Sequence, residues 1–351
     1  MKPNFDMMEY TVTIAMPVYN VQAYIRRSME SALSQTFESI EFLIIDDCGT
    51  DASIDIVREM LETHPRGQHI RIVRQPRNMG VGEARNRAMD EARGRYLYFM
   101  DADDTIQPNT IETLHEALVR HGAEVCFGSY EQTWDFKDDA KSNIYQYPDR
   151  VFYSNDSFGN FAFRKYDGIQ TSSWNILFDM AFLRNSKLRF LPVNYWEDMA
   201  FMMCLPTCVS KAVTLSAATY HYCCRYNSLS NFQQRESIQK SEIEKTANAI
   251  ETTKQATSKY SRKGFYPNLL NKQMMTDFYI ACAIIRHRQT ITPPFSTKEI
   301  RNLMHSPLSL TQILRHKQKK WQNLFLFMLG MIPPSISVAI IKKLGKKKGL
   351  I

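Results

Sequence analysis

Short apolar runs alternate with amphipathic stretches in the first third of the chain. The apolar runs contain four to six residues, as is typical of buried strands, and lie at residues 11–16, 40–45, 70–73 and 96–100. Between them, apolar residues recur every three or four positions, as at Ile25, Met29 and Leu33, which is the period of a helix packed on one side. This alternation predicts an α/β fold with a mostly parallel sheet and helices on both faces.

Polar residues follow each predicted strand directly. Residues 17–20 follow the first strand, residues 46–51 the second, residues 77–80 the third, and Asp101, Asp103 and Asp104 the fourth. In open sheets of this kind, ligands bind beyond the carboxyl ends of the strands, at the point where the strand order reverses. We therefore expect a ligand site at this edge of the sheet.

Three carboxylates end the fourth run. Asp101, Asp103 and Asp104 are close enough in sequence to raise one another's pKa unless they meet a cation or solvent. Mg²⁺ or Mn²⁺ is the natural partner, because these ions take oxygen ligands and share their shell with a substrate's phosphates. The alternative is a solvated turn before the helix that begins near Pro108. The first strand is not followed by Gly-x-Gly-x-x-Gly and no Walker A loop occurs, so phosphates should be bound through a metal.

Composition limits the classes of protein. The 351 residues are 44% hydrophobic and 23% charged, which suits a large core and roughly two domains. A net charge of +8 suggests nucleic acid, an anionic membrane or phosphorylated substrates as partners. Seven cysteines, an odd number, predict reduced thiols in a cytosolic protein, and the cysteine and histidine spacing does not match a zinc finger or ribbon. We expect no secretory signal, because residues 1–9 lack an apolar segment.

Five motifs in order resemble family 2 glycosyltransferases, which have the nucleotide-sugar-binding GT-A fold. The resemblance covers about residues 10 to 230 and rests on Pro17-Val-Tyr-Asn20, Ser31-Ala-Leu-Ser-Gln-Thr36, Ile45-Asp-Asp47 with Thr50-Asp51, Asn78-Met-Gly80 with Ala84-Arg-Asn86, and Asp101-Ala-Asp-Asp104. One departure is Cys48-Gly49, where the family usually has Gly-Ser or Asn-Ser. This difference leaves the turn intact.

The resemblance implies a donor site for a nucleoside-diphosphate sugar, with a UDP-sugar as the first candidate. Pro17 and Tyr19 would pack on the base, where an aromatic ring gives stacking. Asp47 would accept a hydrogen bond from the base imide, and Arg85 would close over the nucleotide; the alternative for Arg85 is a surface helix arginine. The predicted donor-binding residues are Pro17, Tyr19, Asn20, Asp47, Asn78, Gly80, Arg85, Asp101 and Asp103.

The acidic motif matches the family's Asp-x-Asp. Of Asp101 and Asp103, one would face the ribose and one the metal, with Asp104 adjacent, and the predicted ligands of Mg²⁺ or Mn²⁺ are Asp103 and Asp104. The metal would stabilise charge on the departing diphosphate while the sugar carbon becomes cationic in character.

The second half of the chain carries a candidate catalytic base. Glu197 and Asp198 resemble the family's Glu-Asp motif, in which Asp198 takes the proton from the acceptor hydroxyl as it attacks the anomeric carbon. A single carboxylate base implies inversion in one displacement. The alternative is that both acids only cap a helix, where they are stabilising by roughly 0.3–1 kcal/mol.

Further residues are candidates for acceptor or lid contacts. Trp174 resembles a family tryptophan that could stack on a sugar, and its alternative is a core tryptophan. The strand and loop at residues 220–230 resemble those before the family's lid, with His221, Arg225 and Ser228 as candidate contacts. The alternative for His221 is a strand histidine satisfied by a neighbour.

The predicted domains are a GT-A domain at residues 1–230, a helical extension at 231–320 and an apolar, basic tail at 321–351. The GT-A domain would divide into a nucleotide-binding half, about residues 10–130, and an acceptor half, about 131–230. The apolar run of the tail, residues 321–332, is too short and too interrupted by prolines to span a bilayer, and fits a membrane-interface segment beside lysines. The alternative is a helix packed on the protein with a solvated basic end.

The resemblance implies an inverting, metal-dependent transferase that acts on a glycan or lipid-linked acceptor in cell-surface polysaccharide biosynthesis. We expect it at the cytoplasmic face of the membrane, bound peripherally. The alternatives are a non-catalytic nucleotide-sugar-binding module and a transferase for protein-linked or free oligosaccharides. Nucleic acid is not an expected partner, because the basic residues cluster in the tail rather than in an aromatic-interleaved patch.

Overall fold

The computed structural model of the protein describes residues 9–134, 142–164, 168–193, 196–224 and 237–351. The chain forms two compact units. Unit 1 comprises Met1–Asn155, Ser172–Pro192 and Cys208–Ser228, and unit 2 comprises Asp156–Thr171, Val193–Thr207 and Leu229–Ile351. The predicted domain boundary near residue 230 stays a prediction.

Within the described ranges, unit 1 is built on a ten-stranded sheet. Its strands are β1 (Tyr10–Val18), β2 (Ile40–Asp46), β3 (Ile70–Arg74), β4 (Gly94–Phe99), β5 (Thr105–Ile106), β6 (Val125–Trp134), β7 (Asn143–Tyr145), β8 (Arg150–Phe152), β9 (Ile176–Asp179) and β10 (Ala212–Cys224). The order is β3-β2-β1-β4-β9-β6-β10-β5, with β7 on β6 and β8 on β10. The long pairings, among β3, β2, β1 and β4 and between β6 and β10, are parallel. The antiparallel pairings involve only two or three residues each.

Helices connect these strands and make up most of the C-terminal part. They are α1 (Ile25–Leu33), α2 (Ser53–Thr63), α3 (Val81–Glu91), α4 (Thr110–His121), α5 (Asn155–Ala162), α6 (Met180–Ser186), α7 (Glu197–Cys208), α8 (Lys240–Thr257), α9 (Tyr266–Arg286), α10 (Thr297–Asn302), α11 (Leu310–Leu314), α12 (Lys320–Met331) and α13 (Pro334–Lys347). A short parallel pair, β11 (Ile238–Gln239) and β12 (Ile291–Thr292), lies in unit 2. The prediction of an α/β fold with a mostly parallel sheet and C-terminal helices is confirmed.

Continuous apolar runs become the inner strands because both faces of the sheet are covered. Every residue of β2 is buried, and Ile14 on β1 lies opposite Phe42 on β2 and Tyr98 on β4. The helix α3 packs on β1 and β2, and α4 packs on β6, β9 and β10. The apolar positions of the connecting helices, such as Met29 in α1 and Leu114 in α4, are buried in the same core. The periodicity of the sequence therefore predicts β1–β4 and the inner sides of the helices that follow them.

The strand order places the switch point between β1 and β4, the two central parallel strands. From β1 the chain continues to β2 and β3 on one side, whereas β4 pairs on the other side. The N–H of Met100 still donates to the carbonyl of Ala15, at 3.0 Å, so the pairing continues to the start of the acidic turn. On the β2 side of β1, the N–H of Asp47 donates to the carbonyl of Val18 at 3.0 Å. The loops after β1, β2 and β4 thus meet at one edge.

Unit 2 contains an apolar helical core and a buried charge cluster. Leu269, Met274 and Ala281 of α9 are fully buried. The Lys254 ammonium is also buried, 2.8 Å from Asp277 Oδ2 and 2.9 Å from Glu251 Oε2. This cation is compensated by its carboxylate partners, as a buried charge must be.

The C-terminal tail forms two helices that pack on unit 2. Leu326 and Leu329 of α12 and Ile341 of α13 belong to the apolar core of the unit, and the break between the helices falls at the predicted prolines. The tail helices thus pack on the protein, which agrees with the alternative prediction for the tail. Contact of the tail with a membrane stays a prediction. Across the described ranges, none of the helices has the length and apolar character needed to cross a bilayer.

Candidate active site

The acidic turn after β4 gathers its three carboxylates. One carboxylate oxygen from each of Asp101, Asp103 and Asp104 lies within 4.8 Å of the others. The N–H of Asp104 donates to the carbonyl of Asp101 at 3.2 Å, which closes a turn, and an Arg27 N–H from α1 donates to the carbonyl of Asp103 at 3.2 Å. Among the described residues, these acids form the only group of three or more His, Cys, Asp or Glu side chains placed to share an ion.

Asp104 is the buried anchor of this turn. Its Oδ2 accepts a hydrogen bond from the Tyr220 hydroxyl at 2.6 Å, and its Oδ1 accepts from the N–H of Cys223 at 2.8 Å. The Tyr220 hydroxyl in turn accepts from the N–H of Asp101 at 3.2 Å. Burial raises the pKa of Asp104 well above its ordinary value, Asp103 and Asp101 raise it further, and the two donors oppose the shift. The strand β10 therefore fixes the position of the acids.

Arg85 lies inside unit 1, next to the acidic turn. The side chain comes from α3, and its residue is only 2% exposed, so the alternative of a surface arginine is wrong. Its guanidinium donates to Asp101 Oδ1 at 2.9 Å and lies 5.6 Å from the centre of the Phe190 ring. The side-chain amide of Asn86 holds Phe190 by two hydrogen bonds of 2.9 Å, one to its carbonyl and one from its N–H. An aromatic shelf thus supports the arginine that faces the acidic turn.

Asp47 holds the loop that precedes α3. Its two carboxylate oxygens accept from the N–H groups of Met79, at 2.8 Å, and Gly80, at 3.0 Å. The Gly80 N–H is shared with Asn78 Oδ1, at 3.1 Å, and the φ of Gly80 is 87°, a conformation that favours glycine. Burial raises the pKa of Asp47, and the two N–H groups oppose this shift. The structure thus brings together three residues that were predicted to bind the nucleotide-sugar donor, Asp47, Asn78 and Gly80. The Asp47 carboxylate lies at the centre of their hydrogen bonds.

The loop after β1 is tied to the loop after β2. Asn20 has a φ of 51°, and its Oδ1 accepts from the N–H of Thr50 at 2.8 Å. A Cβ on Gly49 would lie 2.9 Å from this same oxygen, which shows how closely the two loops approach each other. Pro17, one residue before the end of β1, lies opposite Ile45 on β2. Tyr19 is 43% exposed, so its ring is accessible at this edge of the sheet.

Trp174 and His221 have partners within unit 1. Trp174 is 4% exposed, stacks on Tyr220 with ring centres 4.4 Å apart, and meets Tyr130 edge-on at 4.8 Å. This environment matches the alternative of a core tryptophan. The His221 Nε2 lies 2.7 Å from the Gln107 side-chain amide, and its Nδ1 lies 3.2 Å from Glu131. These contacts match the alternative for His221, a strand histidine that is satisfied by its neighbours. The other two lid candidates, Arg225 and Ser228, lie outside the described residues.

The candidate base and its neighbour begin α7. Glu197 and Asp198 occupy the first turn of this helix, where acids interact favourably with the helix dipole. Glu197 is buried, whereas Asp198 is half-buried. Trp196, directly before the helix, has a φ of 62°, which marks a sharp change of direction at the helix start. These two acids lie in unit 2, and the three acids of the turn lie in unit 1.

The acidic turn fits a hard divalent cation. Three carboxylates converge in this turn, and burial, followed by the charges of Asp103 and Asp101, raises the pKa of Asp104. Asp104 has one hydrogen bond at each oxygen, and a carboxylate oxygen can accept a second partner. The Arg85 guanidinium provides positive charge beside Asp101.

Tyr220, Phe190 and Asn86 are site residues to which the sequence analysis assigned no role. Tyr220 lies in the stretch that drew attention for His221, and Asn86 closes a motif in which only Arg85 received a role. Phe190 gave no signal, because it follows the turn residues after α6 and is separated from Asn86 by about a hundred positions, with the contact made only by folding.

Comparison with known proteins identifies the class of this domain. The structure is similar to that of S. aureus TarS 1–349, solved in complex with UDP-GlcNAc, with a TM-score of 0.57 at 15% sequence identity, covering 97% of this chain and 92% of that one. The fold is therefore that of the GT-A glycosyltransferases. Residues 13–187 match the sequence model described as glycosyl transferase family 2. The chain belongs, through these residues, to glycosyl transferase family 2.

Two curated relatives illustrate this membership. Glycosyltransferase GlyA of Streptococcus pneumoniae serotype 4 is 34% identical over 124 residues, which are 35% of this chain and 17% of GlyA. Chondroitin synthase of Escherichia coli is 34% identical over 137 residues, which are 39% of this chain and 19% of the synthase. The chain thus spans less than a fifth of the length of either relative.

Proposed function

We propose that this protein is an inverting, metal-dependent glycosyltransferase in cell-surface polysaccharide biosynthesis. It moves a sugar from a nucleoside-diphosphate sugar, with a UDP-sugar as first candidate, to a hydroxyl of a glycan or lipid-linked acceptor. The observation that carries the proposal is the convergence of Asp101, Asp103 and Asp104, beside the buried Arg85, at the switch point of a family 2 domain. The similarity to GlyA, a glycosyltransferase, and to chondroitin synthase, and the UDP-GlcNAc bound to TarS, support it.

Donor recognition is assigned to the loops after β1 and β2. The exposed ring of Tyr19 offers a stacking surface for the base. Asp47 keeps lone pairs beyond those used by Met79 and Gly80, so it can accept from the base while it holds the loop. Asp101, oriented by Arg85, then faces the ribose.

The metal ligands are Asp103 and Asp104, with Asp101 adjacent in the cluster. A bound Mg²⁺ or Mn²⁺ supplies charge stabilisation for the leaving diphosphate. The chain's own contribution is to hold these carboxylates in place before any ligand arrives, through Tyr220 and the N–H of Cys223. Such preorganisation avoids reorganising the site during the reaction.

Asp198 is assigned as the base. It accepts the proton of the acceptor hydroxyl while that oxygen forms the bond to the anomeric carbon and the bond to the diphosphate breaks. With one carboxylate in this role and none assigned as a nucleophile, the configuration inverts. Glu197, buried beside it, is assigned to positioning the base.

We further propose that the protein works at the cytoplasmic face of a membrane, bound peripherally. This location suits a lipid-linked acceptor. A transferase for protein-linked or free oligosaccharides is the competing assignment, and a panel of acceptors separates the two.

The test is release of nucleoside diphosphate from a panel of nucleoside-diphosphate sugars, with Mg²⁺, Mn²⁺ or chelator. The variants are Asp103→Asn and Asp198→Asn, and Asp55→Asn is the matched control, because this exposed acid of α2 pairs only locally with Arg58. The expected result is metal-dependent release from one donor, lost in both site variants and kept in the control. If the sugar donor binds but no nucleoside diphosphate is released with any acceptor, the result would favour a non-catalytic binding module. Absence of both binding and release would refute the proposal.

A further inference from the structure

The inner side of α12 is fixed by specific contacts with unit 2. The buried Asn323 donates to the carbonyl of Pro267 at 2.9 Å and accepts from the Asn271 amide at 2.9 Å. A Cβ on Gly330 would lie 2.6 Å from the carbonyl oxygen of Met304, so the helix approaches this backbone closely. An Arg301 N–H donates to the carbonyl of Gly330 at 2.8 Å. The helix therefore cannot rotate to bury its other side.

The other side of α12 is an exposed apolar stripe. Trp321, Phe325, Met328 and Met331 are three or four positions apart, and all four are exposed, Trp321 to 74%. No charged residue follows Lys320 within the helix. Single exposed apolar residues are ordinary on protein surfaces, but a continuous stripe of large ones marks an interaction surface.

The helix α13 adds a similar exposed side. Its inner positions Ser337, Ile341 and Gly345 are buried, and the Ser337 hydroxyl donates to the carbonyl of Leu329 at 2.7 Å, which ties α13 to α12. On the exposed side, Ile336 and Lys343 line a shallow hollow together with Ser335, Ala339 and Ile340. Apolar residues near the helix start thus lead to lysines near its end.

The charge of the chain is concentrated around these helices. Residues 300–351 contain ten Lys and Arg residues and no Asp or Glu, whereas the other 299 residues contain 34 basic and 36 acidic residues. The whole positive excess therefore lies in the C-terminal segment. Five of its lysines, at positions 342, 343, 346, 347 and 348, are exposed. A surface with this charge attracts an anionic partner.

We propose that the exposed sides of α12 and α13 form one docking face for anionic lipid. The face consists of Trp321, Phe325, Met328, Met331 and Ile336 with the five lysines, and we call it the apolar-basic face. Its apolar side chains enter the acyl boundary and its lysines contact anionic headgroups. The inference deepens the proposed membrane association and rests on that part of the proposed function, not on the transfer reaction.

A membrane fits this face better than an acidic protein does. The exposed stripe on α12 consists of aromatic and thioether side chains, and the indole N–H of Trp321 is its one hydrogen-bonding group. Specific protein interfaces surround an apolar centre with a polar rim that makes about ten hydrogen bonds. A lipid surface needs no such partners, because it accepts apolar side chains and lysines at its boundary.

The test is binding of the full chain to vesicles. Co-sedimentation is measured with vesicles of phosphatidylglycerol and phosphatidylcholine in equal parts, and with phosphatidylcholine alone. We expect binding to the anionic vesicles that weakens as salt rises. The fluorescence of Trp321 should shift to shorter wavelength on binding, and Trp321→Phe should lose this shift while it retains most of the binding.

Two variants separate the components of the face. Trp321→Gln with Phe325→Gln should weaken vesicle binding by about tenfold or more, and replacing Lys342, Lys343 and Lys346 with Gln should weaken it by about a hundredfold at low salt. The matched control is Tyr153→Gln with Ile144→Gln, which removes two exposed apolar side chains from unit 1. The control should bind vesicles like the unchanged chain.

Each outcome of these measurements either supports or overturns lipid docking by the apolar-basic face. Absence of vesicle binding by the folded chain overturns the inference, as does equal weakening by the control. A change of oligomeric state in the Trp321 and Phe325 variant without loss of vesicle binding would assign the stripe to a second copy of the chain and also overturn it. Donor binding and thermal unfolding are measured on each variant. Loss of vesicle binding with retained release of nucleoside diphosphate supports the apolar-basic face as a lipid-docking surface. Loss of nucleoside diphosphate release alone bears on the transfer reaction and not on this face.

Discussion

The hydroxyl of Tyr220 offers a sharp test of how the acidic turn is held. Tyr220→Phe removes one oxygen and keeps the ring that stacks on Trp174, so the core packing is retained. The lost oxygen donates to Asp104 at 2.6 Å and accepts from the N–H of Asp101 at 3.2 Å. One atom thus connects both ends of the turn to β10.

The expected cost follows from these two hydrogen bonds. A hydrogen bond to a buried carboxylate contributes about 1.5–3 kcal/mol, and Asp104 is fully buried. The bond from Asp101 is longer, and water can replace it because this residue is partly exposed. We expect Tyr220→Phe to lower the free energy of unfolding by about 2–3 kcal/mol. Looser carboxylates should also weaken metal-dependent donor binding by about tenfold.

The assay is urea unfolding of each variant, together with calorimetric titration of the donor in the presence of metal. Tyr266→Phe is a matched control, because Tyr266 is equally buried and its hydroxyl has no hydrogen-bond partner among the described residues. This control should leave the free energy of unfolding unchanged or slightly raised. If Tyr220→Phe behaves like the control in both assays, the hydroxyl does not hold Asp104, and β10 does not fix the acidic turn.

Three further predictions concern charged groups. Arg85→Lys should weaken donor binding by about tenfold in the same titration, because an ammonium cannot match the planar fork that faces Asp101 over the aromatic shelf. Lys254→Met should lower the free energy of unfolding by about 3–5 kcal/mol, because it leaves the buried Asp277 without its cation. Hydrogen bonds from Lys240 and from the N–H and hydroxyl of Ser296 lower the pKa of Glu299 to about 2 from 4.5. Its contribution to stability is therefore complete above pH 4.5 and lost as the pH falls towards 2, so E299Q should flatten the acid side of the stability profile slightly.

Each of these predictions has a contrary outcome. Donor binding by Arg85→Lys equal to that of the unchanged chain would remove the arginine from the donor site. For Lys254, the double variant with Asp277→Leu should recover most of the lost stability, and a further loss would show that the pair is not the source of the cost. An acid unfolding profile unchanged by E299Q would mean that solvent screens the exposed pair completely.

The sequence alone determined the four parallel strands β1–β4 and the position of the site at their carboxyl ends. Runs such as Ile40–Asp46, in which five of seven residues are apolar, are long enough for one strand and too apolar for a surface element, so they predict buried parallel strands without knowledge of the fold. Polar residues such as Asp101 and Asp103 directly follow such runs. Because parallel strands end at one edge, linear order translates into spatial proximity.

Only the tertiary structure decided what surrounds each side chain. The helix that carries Arg85 gives no sign in sequence that this residue is buried, because Phe190, about a hundred positions away, supplies the shelf. The assignment of Trp174 to the core likewise depends on Tyr220. Such contacts join segments far apart in sequence, where no periodicity links the partners, and the free energy of packing alone selects them.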